Sequence, residues 1–437
     1  MGVKVAKFGG SSVADAAQLR KVEKIVRQDP NRRVVVVSAP GKRSNEDIKI
    51  TDLLYRCHDC VREGKSFDSI FDTIADRYRS IVRELGLAMD IERDLSVVRD
   101  RMMESTTPDF AASRGEYLTA KIAASLLGSQ FVDAAEIIRF EPSGRYQIEE
   151  TTAAISSRLN GVGKVVVPGF YGATPDGSIR TFSRGGSDIT GALLARGLGA
   201  DVYENWTDVS GVLMADPRIV SSPRTIPKLT YRELRELAYM GASVLHEDSV
   251  FPVLDRNIPV NVRNTNLPED PGTLIVKQVE GSSGAITGIA GRKGYTVIAL
   301  EKHLMNRQIG IGRRLLTVLE KNRVSFEHMP TGIDTVSLVV ESSYLKGKLE
   351  LVLEEIQQEC RPDKIEVVEN IAVVATVGQG LLQIPGVAGR LFGALAAANV
   401  KVLMIDQGSS GINIIVGIEE SDFEKAIRAI YEEFTAK

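Results

Sequence analysis

Lys7-Phe8-Gly9-Gly10-Ser11-Ser12-Val13-Ala14, placed directly after a short apolar run at the start of the chain, carries the residue types of an anion site. Two adjacent glycines let backbone approach a phosphate closely, the helix expected to follow offers free N–H groups at its positive end, and Lys7 adds a mobile cation. That combination suits phosphoryl transfer. The lysine precedes the glycines, so the segment is neither a P-loop nor the three-glycine dinucleotide fingerprint. Taken alone, it is equally compatible with an ordinary strand-to-helix turn bearing a solvated lysine. A second candidate is weaker. Cys57-His58-Asp59-Cys60 has the spacing of a redox or zinc half-site, but Cys360 is the one other cysteine and the chain has 4 histidines, so two helix thiols are the expected reading.

The elements that must position such a turn follow βαβ grammar. A strand over Val3 to Phe8 leads into a helix over Ala14 to Gln28, with Ser12 as the expected N-cap and Leu19, Val22 and Val26 on one face. Val34 to Val37 is an unbroken β-branched run, the mark of a strand buried on both faces, and it ends at Ser38-Ala39-Pro40-Gly41. Similar units recur at Lys164 to Val167 and at Val202 to Val209, which predicts a mostly parallel sheet covered by helices, with ligands outside the carboxyl ends of its strands. Leu53 to Gly128 reads as a helical excursion.

Turn chemistry is densest at Leu267 to Gly272 and Glu280 to Gly284, which puts a domain boundary nearby. The chain then echoes itself. Gly312-Arg313-Arg314-Leu315 with Asn322 is answered by Gly389-Arg390-Leu391-Phe392 with Asn399, and Ser325 to His328 by Val402 to Asp406, each copy leading into a strand. Two small α+β modules are expected, with loops such as Ile384 to Gly389 able to hold a small carboxylate.

With 437 residues the chain exceeds one ordinary core, and 43% hydrophobic residues, 25% charged residues and a net charge of -3 describe a soluble protein without a polyanion-binding excess. Nucleic acid and membrane are therefore not expected partners, and a cytoplasmic location is.

Along essentially its whole length the chain resembles monofunctional aspartate kinases (aspartokinases). The resemblance rests on Lys7 to Ser12, Val35-Val36-Val37-Ser38-Ala39, Gly115-Glu116, Ser183-Arg184-Gly185-Gly186-Ser187-Asp188, Thr207-Asp208-Val209, Ala215-Asp216-Pro217-Arg218 and Val244-Leu245-His246, in common order and spacing. It implies an amino-acid kinase fold over 1–275, a mostly parallel sheet between helices. Two ferredoxin-like ACT domains would follow over 276–437, with about 301–370 inserted between 284–300 and 371–437.

The implied reaction moves the ATP γ-phosphoryl group to the side-chain carboxylate of L-aspartate with Mg²⁺ assistance. The acceptor is already an anion, so positioning and cations do the work. By resemblance Lys7 stabilises charge, and Gly9, Gly10, Ser11 and Ser187 line the phosphates. Asp188 either orients Lys7 and the metal or binds the substrate amine. For aspartate, Glu116 takes the amine and Arg184 the α-carboxylate, with Ser38 and Thr51 completing the pocket. Thr207, Asp208, Asp216 and Arg218 correspond to nucleotide contacts, Leu213 stands where many members carry Tyr, and Arg263 is the cation nearest a position where some supply Lys. His246 reads as a packing residue.

The paired ACT modules imply feedback inhibition by an amino acid, lysine first and threonine second, with Met305, Gly310 and Glu327 at the positions of effector contacts. They also imply a homodimer or homotetramer assembled through those modules.

Overall fold

The computed structural model describes residues 2–104, 107–183, 185–242, 245, 247–279, 284–408 and 410–436. These fall into two compact units, one of residues 1–212, 225–234 and 244–279, the other of 213–224, 235–243 and 280–437.

In the first unit the strands are β1 (Lys4–Phe8), β2 (Arg32–Val37), β3 (Gln130–Phe131), β4 (Val165–Pro168), β5 (Tyr171–Ala173), β6 (Ile179–Thr181), β7 (Val202–Thr207), β8 (Lys228–Thr230), β9 (Val260–Asn264) and β10 (Thr273–Val276). Eight of them form one sheet in the order β3-β4-β2-β1-β7-β9-β10-β8, and β5 with β6 makes a separate hairpin. Every neighbour in the large sheet is parallel except β9 and β10.

The helices are α1 (Ala16–Gln28), α2 (Ile50–Arg62), α3 (Asp68–Leu85), α4 (Ile91–Glu104), α5 (Pro108–Leu127), α6 (Ile148–Leu159), α7 (Gly186–Leu198), α8 (Tyr231–Tyr239) and α9 (Phe251–Leu254). The sheet's two faces have different partners. Ala6 and Phe8 of β1, Val35 and Val37 of β2 and Trp206 of β7 pack with α1 to α5 in one apolar cluster. Side chains alternate along a strand, so Val5, Lys7, Val34 and Val36 face the other way, where α7 packs against β1, β2 and β7. Both faces being covered explains the unbroken valine run of β2.

One local expectation is corrected. Ser12 does not cap the first helix: Gly10–Val13 forms a 3₁₀ turn, and Asp15 is the cap, its carboxylate accepting the Gln18 amide at 2.8 Å. The Ser12 hydroxyl is buried and bonded to Thr265 Oγ1 at 2.7 Å, a tertiary partner that local pattern cannot show.

The second unit holds one antiparallel sheet of β11 (Gly288–Glu301), β12 (Thr335–Glu341), β13 (Lys364–Val377), β14 (Val402–Asp406) and β15 (Asn413–Glu419), in the order β12-β11-β13-β15-β14. Its helices are α10 (Ile311–Lys321), α11 (Ser342–Leu345), α12 (Leu349–Cys360), α13 (Gly380–Gln383), α14 (Val387–Ala397) and α15 (Phe423–Thr435). Two apolar cores result, one gathering Leu315, Leu319, Leu338 and Ile356, the other Val374, Leu391, Val416 and Ile427.

The long strands β11 and β13 serve both cores, and their pairing register shifts between Arg292 and Val297. The two echoing segments become α10 and α14. The second echo holds less closely: Val402 to Asp406 is a strand, whereas Ser325 to His328 contributes one isolated bridge from His328 to Val339.

Candidate active site

Lys7 lies in the centre of the parallel sheet, opposite Asn205 of β7 and Val36 of β2. It is 7% exposed, and its ammonium sits 2.5 Å from Asp188 Oδ1 in the first turn of α7. Asn205 Nδ2 donates to the same carboxylate oxygen at 2.8 Å, and the Tyr203 hydroxyl donates to the Asp188 carbonyl at 3.0 Å. A buried ammonium requires such a partner, and here the partner is itself held by two residues of one face of β7. Asp188 is therefore the ion-pair partner of Lys7. Asn205 and Tyr203 were not foreseen from sequence, and the available signal was the polar Glu204-Asn205 pair set between Val202-Tyr203 and Trp206 in a central strand.

Beside this group runs the glycine turn. The Gly9 amide donates to the Trp206 carbonyl at 3.0 Å, which ties the turn to the end of β7, where Thr207 and the exposed Asp208 follow. The loop after β2 packs on Gly10 backbone to backbone: Gly41 N–H donates to Gly10 O at 2.9 Å. A Cβ placed on Gly41 would lie 2.7 Å from the Gly10 carbonyl carbon, a separation no side chain tolerates. On α7 the approach is equally close, because a Cβ on Gly169 would meet the Ser187 Cα at 2.8 Å.

Ala39 connects the turn with an acid pocket. Its carbonyl would stand 3.0 Å from a Cβ on Gly10, and its N–H donates to the Glu116 carboxylate. Gly115 makes that reach possible, since a Cβ there would lie 2.7 Å from the Ala39 methyl. Ile50 and Leu54 of α2 approach the same point, so Thr51 in the first turn of α2 and Ser38 at the end of β2 are both local, each half-buried. Glu116 is 5% exposed, and among the described residues its Oε2 is buried without a hydrogen-bond partner. Burial pushes its carboxyl up to about 8, against a partial opposing effect of the Ala39 amide. An orphaned, half-satisfied buried carboxyl is suited to receiving an ammonium group.

Other foreseen residues are placed differently. Arg263 is not brought to Lys7: it pairs with Trp206 in the β7–β9 register, on the opposite face of the sheet. Its guanidinium lies 4.7 Å from the Trp206 ring centroid and donates to the Pro268 carbonyl at 2.7 Å. Leu213, Asp216 and Arg218 belong to the second unit, where Arg218 grips Asp216 at 2.6 Å. Arg184 and His246 lie outside the described residues.

In the second unit Met305 is a core side chain and Gly310 caps α10 in a left-handed conformation, φ 84°. Glu327 accepts a hydrogen bond from the Tyr239 hydroxyl. Among the described residues no three His, Cys, Asp or Glu side chains converge as a metal cluster, and no helix is long and apolar enough to cross a membrane.

Residues 2–264 match the amino acid kinase family and residues 374–434 an ACT domain. Aspartokinase 3 of Bacillus subtilis strain 168 is 38% identical over 452 residues, covering 99% of both chains. The crystal structure of Clostridium acetobutylicum aspartate kinase superposes with a TM-score of 0.92 at 51% identity over 100% of each chain. The structure of E. coli aspartokinase III with aspartate and ADP, an R-state, aligns with a TM-score of 0.73 at 29% identity over 99% of each. A T-state of the same enzyme holds lysine and aspartate.

Proposed function

The chain belongs to the aspartokinase family, and from that premise we propose how its residues transfer the γ-phosphoryl group of ATP to the β-carboxylate of L-aspartate, giving 4-phospho-L-aspartate and ADP. One observation carries the reading: Ala39 abuts the glycine turn through its carbonyl and binds the orphaned Glu116 carboxyl through its N–H, so a phosphate cradle and an amino-acid pocket share one residue.

Lys7 places its charge where the transferring oxygens develop negative charge, and Asp188 with Asn205 keeps the ammonium from wandering. The amides of Gly9, Gly10 and Ser11 and the opening of α7 at Ser187 line the phosphates. Glu116 takes the aspartate ammonium, Arg184 its α-carboxylate, and Ser38 and Thr51 donate hydroxyl hydrogen bonds. Thr207 and Asp208, which follow the end of β7, are the nucleotide's side of this unit's site. Arg263 is left out of it, because its guanidinium is engaged on the far face.

Mg²⁺, when bound with ATP, neutralises phosphate charge. Asp188, the carboxylate paired with Lys7, would help to hold it.

Residues 1–275 form the catalytic domain in this reading and 276–437 the regulatory one, with about 301–370 inserted in the second ACT module, except that 213–224 and 235–243 pack in the second unit. Two cores served by the shared strands β11 and β13 support that division. A carboxylate at Glu327 suits a cationic effector, which favours lysine over threonine, and ACT pairing favours a homodimer or homotetramer in the cytoplasm. Coupled measurement of ADP release against a panel of amino acids tests the assignment. Aspartate should be the required acceptor, and Lys7→Ala should lower kcat about 10²–10³-fold without altering the folded state. Unchanged turnover in that variant refutes it.

A further inference from the structure

The entry to α2 has no side-chain cap. Residues 41–49 have no regular structure, and Lys49 at the N-cap offers no side-chain hydrogen bond, yet Thr51 follows two positions later. The fixing comes from α3. Arg77 is 6% exposed and donates to three acceptors: Asp47 Oδ2 at 2.6 Å, the Gly41 carbonyl at 3.3 Å and the Ala14 carbonyl at 3.4 Å. Asp47 in turn accepts from the Arg43 backbone N–H at 2.9 Å and from Arg43 Nε at 3.0 Å, which closes the loop on itself. Its carboxyl is held well below the ordinary range by the two guanidiniums against the effect of burial, so it stays ionised.

The glycine turn, in contrast, has anchors of its own, the Gly9 amide on Trp206 and Ser12 on Thr265.

We propose that Arg77 is a positioning residue for the phosphoryl acceptor, fastening loop 41–49, and with it Thr51, to the end of the phosphate turn. This rests on the assignment of Thr51 to the aspartate pocket. A planar guanidinium can satisfy three acceptors in fixed directions, which a lysine ammonium on a flexible stem cannot reproduce. Because the turn keeps its own anchors, loosening the clamp should disturb the aspartate side of the site and leave the nucleotide side in place.

The test uses the full chain, with Arg77→Lys, Asp47→Asn and the double variant compared by steady-state kinetics and thermal unfolding. KM for aspartate should rise about tenfold in each single variant, with KM for ATP within about twofold of wild type. The double variant should be no worse than the worse single one, because both changes break one clamp. Asp47→Asn alone decides the matter if Arg77→Lys does not fold. Unchanged KM for aspartate, or equal rises for both substrates, overturns the proposal. Thr51→Val separates this from the site assignment: if it leaves KM for aspartate unchanged, the pocket reading fails irrespective of the clamp.

Discussion

Replacing Glu116 by Gln removes one buried ionisable group and keeps its shape. The wild-type carboxyl, pushed up to about 8 from an ordinary 4.5, is mostly neutral at pH 7 in the empty protein. If it must be ionised to bind the aspartate ammonium, the competent fraction is roughly one in ten at pH 7 and one in a hundred at pH 6. KM for aspartate should then fall about fifty-fold between pH 6 and pH 8 and level off above. In the Gln variant that slope disappears, and KM lies roughly ten- to hundred-fold above the wild-type alkaline value, the worth of a charge-assisted hydrogen bond of about 1.5–3 kcal/mol. The variant serves as internal reference for any titration of the substrates themselves.

Stability moves in the opposite sense. Because the folded-state value is raised, the unfolded chain releases this proton from about pH 4.5 while the folded chain keeps it to about pH 8, so the wild type loses stability as pH rises through that window. The Gln variant should escape the loss, which thermal unfolding at pH 6 and pH 9 would show. Identical pH slopes of KM in the two proteins would refute the assignment of Glu116 to the amine.

Gly169→Ala should push the start of α7 away from the sheet, since the new methyl would meet Ser187 Cα at 2.8 Å. About 1–3 kcal/mol of stability and roughly a hundredfold in kcat should be lost, measurable by denaturant unfolding and steady-state rates. Glu327→Gln should raise the lysine concentration for half-inhibition about tenfold or more while leaving kcat without lysine unchanged, because the change removes a carboxylate and lies in the regulatory unit. An unaltered lysine response would remove Glu327 from the effector site.

Much of the architecture is legible from local pattern. A short apolar run marks β1 and an unbroken valine run β2, the 3.6-residue period marks α1, and paired glycines mark the places where backbone must come close to backbone or phosphate. Those signals are local because each depends on the conformational range of one residue or the repeat of one element.

The partners of the chemistry are not local. Lys7 and Asp188 meet only because β1 and β7 are neighbours and α7 packs across them, and Asn205 acquires its role by standing opposite Lys7 in that register. Arg263 is the cation nearest a family lysine position in the sequence, yet it stacks on Trp206, because the β9 register turns it to the other face. The sequence by itself determined which elements form and where the backbone must be bare. The tertiary structure alone decided which charged groups share a face, because strand order, register and burial select partners from positions far apart in the chain, and the cost of an unpaired buried charge makes that selection binding.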